Sequence, residues 1–436
     1  MIKQRLFYEI IALLENNNVN YVIVGNTDNY PNEIGSDVDI VLPQRDINKF
    51  QQLVWSLEND TTRVWQMFQH EICAYYYILF DISSEGIVAI QPDICSDYYR
   101  NGKKLLSASY LLKGNRNATD ANGKSKGFKT LSPAKEFIYY LLKKVDKQHI
   151  SDEQFTHLHA CYKQDVIGAC EEINEIWSTE GLKIICKAFD NCDISLIVDN
   201  IVVLQKEIHK KKGMTFGLRL KNSLLKIKRI WQPTGYVIAI MGPDGSGKST
   251  VLEQLKKDVA PAFRKIKTYH LFPVENQNKG VNTDPHQQKP RGFVVSLFKL
   301  FYFLFLYNSG FLKLILPKKI RSTLIVFDRY YDDILIDPIR YRNGTSTFWI
   351  KLIGLFIPQP NLWFVLDAPA ELIQQRKAEV PYSETERQRT AYKKFAEGKK
   401  NAFLIDTNRT VDDISKDICI ILGKKLNQRA IKRYKK

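Results

Sequence analysis

The sequence predicts an α/β chain in which a C-terminal parallel five-stranded sheet flanked by helices follows an α+β domain with a helical lobe. Three observations predict it. Residues 236–250 read YVIAIMGPDGSGKST, which is an apolar strand, a glycine-rich turn fitting GxxxxGK[ST], and the start of a helix. Downstream, further apolar, β-branched runs alternate with helical segments, the β-α repeat of a parallel sheet. Near the N-terminus, IGSDVDIVLP sets Asp37 and Asp39 two apart in a strand-like run, which marks a separate first domain.

At 436 residues the chain can hold two or three cores. A formal charge of +17 and a pI of about 9.3 point to an anionic partner: nucleotide, nucleic acid, anionic lipid or phosphorylated glycan. Nucleic acid is the weakest of these, because the charge gathers in a connector and in the tail AIKRYKK, with no recognisable binding module. The seven cysteines are scattered without CxxC or Cys/His zinc spacing and read as reduced thiols of a cytoplasmic protein. The opening segment, MIKQRLFYEIIALLENNNVNY, has Glu9 and Glu15 interrupting its apolar pattern and lacks a small-residue cleavage site. It predicts an amphipathic helix rather than a signal peptide.

In the first domain, Tyr21 to Gly25 reads as a buried strand. Asp37 and Asp39 follow a turn-rich loop, and strand alternation points both carboxylates to one face. The run from Gly86 to Cys95, read as one strand, carries Asp93, a third acid for the same place. Three clustered carboxylates repel one another unless cations neutralise them, and two Mg²⁺ ions held this way would clamp both oxygens of an in-line phosphoryl displacement. The alternative reading is that Asp37 and Asp39 only solvate a strand end. Through Gly25, GSDVD and Asp93, residues 1–115 resemble the nucleotidyltransferase superfamily related to DNA polymerase β. The resemblance implies that Asp37, Asp39 and Asp93 hold catalytic metals.

Residues 116–205 are read as a helical lobe. Its clearest segment, SPAKEFIYYLLKKVDKQ, has Ser132 as N-cap, Pro133 in the first turn, and Phe137, Tyr140, Leu141 and Val145 on one stripe. His157 and His159 read as ordinary surface or core histidines, without assigned chemistry. Residues 206–234 form a basic connector with an apolar stripe of Phe216, Leu220, Leu224, Ile227 and Trp231. A solvated interdomain helix explains it, with an anchor on anionic lipid as the alternative.

In the second domain, residues 235–436, Gly242, Gly245, Ser246 and Gly247 let backbone N–H groups close around phosphate oxygens. Lys248 reaches the β and γ phosphates, and Ser249 and Thr250 open the helix, with the Ser249 hydroxyl available to Mg²⁺. ATP and Mg²⁺ are therefore the expected cofactors. Residues 265–271 suit a second strand and residues 272–290 a polar loop. The apolar stretch 293–317, interrupted by Lys299, Asn308, Gly310 and Lys313, predicts a buried core helix, with membrane-surface contact as the alternative. TLIVFDRYY, residues 323–331, ends a strand in Asp328, which can hold Mg²⁺, and Arg329, which can take an acceptor phosphate. Strands at 361–369 and AFLIDTN complete the sheet.

Residues 235–425 resemble thymidylate kinase and the wider nucleoside-monophosphate kinase group through the loop with Asp244, the Asp328-Arg329-Tyr330 triplet, and LDAPAELIQQR ending in Arg376. The resemblance implies that Asp244 contacts the acceptor side, Arg329 grips the acceptor phosphate and Arg376 stabilises the transferring phosphoryl group, with Arg387 or Arg389 as further lid residues. TYHLFP stands where that family carries an arginine after the second strand, and YDDILIDPIRYRNG where its Ser and Gln read the thymine ring; this latter segment and the apolar stretch before it look more like thymidylate-kinase-like proteins of surface-polysaccharide synthesis. The acceptor is thus a nucleotide, a sugar or alditol, or a glycan end. A scaffold that binds nucleotide without turnover is the competing class. Peripheral contact with the inner face of a membrane and a homodimer are both compatible with the sequence.

Overall fold

The computed structural model describes every residue except 72, 101, 102, 211–215, 276–288, 379 and 436. Most of the polar loop expected over 272–290, and the middle of the basic connector, lie outside the described residues. The chain divides into two compact units, residues 1–226 with 427–436, and residues 227–426.

In the first unit, α1 (Ile2–Asn16) buries Leu6, Phe7, Ile10, Ile11 and Leu14, one stripe at three- and four-residue spacing. The chain continues through β1 (Val22–Ile23), β2 (Val38–Val41), α2 (Ile47–Leu53), β3 (Thr62–Glu71), β4 (Ala74–Ser83), β5 (Gly86–Ile90) and β6 (Pro92–Cys95). A hairpin of β7 (Tyr98–Arg100) and β8 (Lys103–Leu106), helix α3 (Ala108–Leu112), β9 (Arg116–Thr119) and β10 (Ser125–Thr130) follow. The main sheet runs β3-β4-β6-β2-β1-β10-β9, with β5 also paired to β4.

Two expectations are corrected here. The run from Gly86 to Cys95 is not one strand: β5 pairs antiparallel with β4, whereas β6, after the break at Gln91, pairs parallel with β2. The helical lobe also does not begin at residue 116. β9 and β10 extend the sheet, with Thr130 in parallel register with Ile23, because Phe128 is buried edge-on against Phe7 at 5.4 Å between ring centroids.

The lobe itself is α4 (Pro133–Asp146), α5 (Asp152–Gln164), α6 (Val166–Ile176), α7 (Thr179–Asp190) and α8 (Ile194–Lys210). Ser151 and Gln154 close a capping box at the start of α5. Phe137, Leu141 and Val145 enter a core with Phe155, Tyr162, Phe189 and Leu204, while Tyr140 is only partly buried. The connector helix α9 (Phe216–Trp231) leaves Leu220, Leu224, Ile227, Ile230 and Trp231 exposed.

The second unit contains β11 (Tyr236–Met241), α10 (Lys248–Val259), β12 (Lys265–His270), α11 (Phe293–Gly310), α12 (Leu316–Ile320), β13 (Thr323–Asp328), α13 (Asp333–Ile336) and α14 (Thr347–Gly354). It ends with β14 (Leu362–Asp367), α15 (Ala370–Arg376), α16 (Tyr382–Glu397), β15 (Ala402–Asp406) and α17 (Val411–Tyr434). All strand pairs are parallel, in the order β12-β13-β11-β14-β15. The fully buried β11 lies at the centre, so the strand order reverses on either side of it, and the crevice at its carboxyl end is where such sheets bind ligands. The last ten residues, expected here, belong instead to the first unit: Asn427 donates to the Val64 carbonyl at 2.9 Å, and Ala430 enters that core.

The apolar stretch is corrected as well. Phe293–Ile320, which passes from α11 through a π-helical turn into α12, is long and apolar enough by composition to cross a membrane, yet only 28% of its most apolar window is buried. Ser296, Leu300, Phe303, Tyr307 and Gly310 face inward, whereas Phe293, Val294, Phe298, Phe301, Tyr302 and Phe305 are exposed. A helix that is apolar all round still packs against a sheet through only one stripe.

Candidate functional site

At the carboxyl end of β11 the chain makes a tight loop into α10. Gly242 has φ +146°, and a Cβ there would sit 2.5 Å from the Leu366 carbonyl oxygen. Gly247, at φ +89°, caps the helix in a left-handed conformation, and α10 starts at Lys248, one residue before the position read from the sequence. Lys248 Nζ donates to the Gly242 carbonyl at 2.9 Å and the Pro243 carbonyl at 2.8 Å, and pairs with Asp244 at 3.4 Å. Burial, and then the nearby Arg329 charge, push its ammonium down to about 8. Ser249 and Thr250 are exposed on the first turn of α10, while Ser246 is buried, its hydroxyl without a partner among the described residues.

Asp244, inside the loop, is the junction of the site. Arg329 donates to one carboxylate oxygen and Arg340 to the other. Arg329, at the end of β13, is buried, has φ +68°, and also pairs with Asp333 at 3.0 Å. Asp333 is fully buried. It accepts from the hydroxyls of Tyr341, at 2.7 Å, and Tyr392. Burial alone would raise its carboxyl, but Arg329 and the two hydroxyls hold it below the usual range. Arg340 is oriented by Asp337, which accepts from its Nε at 3.2 Å. Pro243, Asp244, Arg340 and Lys377 line one cleft beside the loop, together with Thr385 and Gln388.

Asp328 ends β13, in parallel register with β11. His270 Nδ1 lies 3.2 Å from its Oδ2, while its Oδ1 is buried without a partner among the described residues. Against the effect of burial, His270 and Lys248 hold this carboxyl low and ionised. A buried, ionised and unsatisfied oxygen is a donor suited to a divalent cation, so Asp328 and the Ser249 hydroxyl fit Mg²⁺.

The arginines expected to form a lid are dispersed. Arg376, exposed at the end of α15, donates to the Thr407 carbonyl at 3.5 Å, and its neighbour Lys377 is the residue that lines the cleft. Arg387 pairs with Glu384, and Arg389 grips Asp367 with two bonds, at 2.9 and 3.2 Å. Arg340, Asp333 and Tyr392 escaped the sequence reading. For Asp333 and Arg340 the only signal was the charge density of YDDILIDPIRYRNG, which does not specify partners, and Tyr392 lies outside that segment.

In the first unit, the parallel register of β2 and β6 sets Asp39 opposite Asp93, with Asp37 two residues earlier. Lys143 from α4 pairs with Asp39 at 2.7 Å. Asp37 is exposed and accepts from the Ser36 hydroxyl at 2.8 Å. Burial first, and the Asp39 charge second, push Asp93 up to about 7, as expected for crowded carboxylates.

Solved structures of thymidylate kinases from Ehrlichia chaffeensis (17% identity, TM-score 0.31) and Candida albicans (17%, TM-score 0.33) each match 44% of this chain and 100% and 93% of their own lengths. A Saccharolobus solfataricus protein described as "Probable thymidylate kinase 1" is 25% identical over 206 residues, which cover 44% of this chain and 98% of that protein. The thymidylate kinase family model matches residues 240–418. The C-terminal segment of this chain, residues 240–418, is therefore thymidylate kinase-like, a likeness that supports a kinase, that is, a phosphotransferase.

Proposed function

We propose that the second unit transfers the γ-phosphoryl group of ATP to the phosphate of a nucleoside monophosphate, leaving ADP and a nucleoside diphosphate. The observation that carries this reading is the junction at Asp244. A phosphate-binding loop with its lysine lies against two arginines, and Arg340 and Lys377 line a cleft beside it. That arrangement would set an acceptor phosphate next to the donor phosphates, and phosphoryl transfer consists mainly of such positioning and charge neutralisation. The loop N–H groups and Lys248 would hold the donor phosphates. Arg340 and Lys377 would take the acceptor phosphate, with Arg329 fixing Asp244 between the two. Ser249 and Asp328 would hold Mg²⁺, which neutralises charge on the transferring group. Arg376 would reach the phosphates after movement of α15.

The test follows γ-labelled ATP and Mg²⁺ with the full chain against dTMP, other nucleoside monophosphates, sugars and alditols, with Lys248→Ala as control. Lys248-dependent labelling of a nucleotide supports the proposal. Tight ATP binding with no labelled acceptor would make the unit a scaffold.

A second reading is favoured by the exposed aromatic face of α11: an acceptor sugar or glycan presented at a lipid surface. Labelling of a sugar with nucleotides inert would select it. For the first unit we propose that Asp37, Asp39 and Asp93 hold the metals of a nucleotidyltransferase, on the strength of the register that sets Asp39 beside Asp93. If Asp37→Asn leaves every nucleotidyl-transfer product of the full chain unchanged, that role is wrong.

A further inference from the structure

The geometry points to a zinc-type metal site in the helical lobe, made by Glu136, His157 and Cys161, independent of the kinase reading. His157 and Cys161 are four apart on α5 and so share one helix face, and Glu136 faces them from α4. All three are at least nine-tenths buried, and one ligand atom from each lies within 4.8 Å of the others. Glu136 Oε1 is 3.0 Å and Cys161 Sγ 3.7 Å from the same imidazole nitrogen, Nε2 of His157. Zinc bonds of ordinary length at a tetrahedral angle would separate nitrogen from oxygen by about 3.4 Å and nitrogen from sulfur by about 3.6 Å. The spacing of the three atoms therefore already approximates a coordination shell.

The other side of the ring supports the same assignment. His157 Nδ1 lies 3.3 Å from Asp28 Oδ2, so a proton on Nδ1 is held by a carboxylate and the Nε2 lone pair is directed at Glu136 and Cys161. A carboxylate behind the ring is the usual outer partner of a metal-bound histidine. Tyr140 packs edge-on against the ring at 5.4 Å and limits its rotation. Three protein ligands leave a fourth position for water. The site was invisible as a sequence motif because its ligands come from two helices and include only one cysteine.

Bound zinc would tie α4 to α5 and, through His157, to the loop bearing Asp28, which leads to Asp37 and Asp39. An ion pair between imidazolium and two carboxylates is the competing account, and it needs no metal. The test uses untagged full-length protein, its zinc content, and its spectrum after replacement of zinc by Co²⁺. The expected result is about one zinc per chain and a thiolate-to-cobalt charge-transfer band. Cys161→Ser should abolish that band and Cys170→Ser should keep it. Chelation should lower the melting temperature of the wild-type chain but not of Cys161→Ser. X-ray absorption of the wild-type zinc protein, showing one sulfur among nitrogen and oxygen ligands, makes the test independent of whether any variant folds. A chain that takes up neither ion, or a band that survives Cys161→Ser, overturns the proposal.

Discussion

Arg340 donates to the Asp244 carboxylate from 96 positions further along the chain, and thereby joins the segment between α13 and α14 to the glycine-rich loop after β11. Its orientation is fixed at the other edge by Asp337, so the guanidinium is preorganised. Arg340→Ala should lower kcat/KM for the acceptor by about 10- to 100-fold while leaving ATP affinity nearly unchanged. Arg340→Lys should recover little, because a point charge cannot replace the fork. Steady-state kinetics with each substrate varied in turn, together with direct ATP binding, decide this, and a loss of ATP affinity with the acceptor kinetics unchanged would place Arg340 on the ATP side instead.

Lys248 carries a different expectation. Its ammonium is held by loop carbonyls and disfavoured by burial, so its removal should not destabilise the fold. Lys248→Ala should reduce turnover by about 10²- to 10³-fold, with the unfolding midpoint unchanged or slightly raised. A variant that loses activity and stability together would assign Lys248 to the architecture.

The legible parts of this chain were those written in consecutive residues. GxxxxGK[ST] between an apolar strand and a helix specifies its own backbone, whereas of DVD only Val38 and Asp39 enter β2 and Asp37 precedes it. The register of Asp93 with Asp39 depends on a parallel pairing that spacing does not encode. The clamp on Asp244 arises from a loop that folds back over a long separation, so Arg340 had no signature beyond charge. The exposure of α11 was unreadable for another reason: a helix apolar on all sides carries no moment to say which stripe is covered. β9 and β10, with RNAT and SKGFKT, are too polar and glycine-interrupted to announce themselves, and only Ala118 and Phe128 are apolar residues turned inward.

Gly242 tests the loop itself. A methyl group at this position would collide with the Leu366 carbonyl on the neighbouring strand, and φ +146° is unfavourable for any other residue. Gly242→Ala should therefore cost about 1–3 kcal/mol of stability and weaken ATP binding. Chemical unfolding and nucleotide titration measure the two effects, and normal binding at normal stability would contradict the close approach described here.

In the first unit, Asp39 and Asp37 should behave differently although they are only two residues apart, because Asp39 lies in β2 and Asp37 precedes it. Asp39 is paired to Lys143 at 2.7 Å with both side chains largely buried, so Asp39→Asn leaves an unpaired cation and should destabilise by about 3 kcal/mol. Lys143→Met in the same chain should recover most of that loss. Asp37→Asn, exposed, should leave stability within about 0.5 kcal/mol of wild type. Equal unfolding midpoints for the two single variants would show that the Lys143 pair contributes nothing.

Lys299 gives the chain a pH dependence with a definite sign. Its Nζ donates to the Tyr341 carbonyl at 2.7 Å, but burial, followed by the Arg291 and Arg342 charges, pushes the ammonium down to about 8. In the unfolded chain it titrates near the ordinary lysine value of about 10.4. Between these values the unfolded state binds more protons than the folded one, so this group makes stability rise with pH from about 8 to about 10 and adds no slope below 8. Other groups titrate in the same window, so the quantity to read is the difference in unfolding free energy between wild type and Lys299→Met. At neutral pH the variant should be the more stable, because it carries no buried charge, and that advantage should shrink through the window as wild type sheds its proton. Urea unfolding of both proteins at several pH values measures it. A difference that stays flat, or that grows with pH, would mean that Lys299 keeps its ordinary affinity for protons in the folded state.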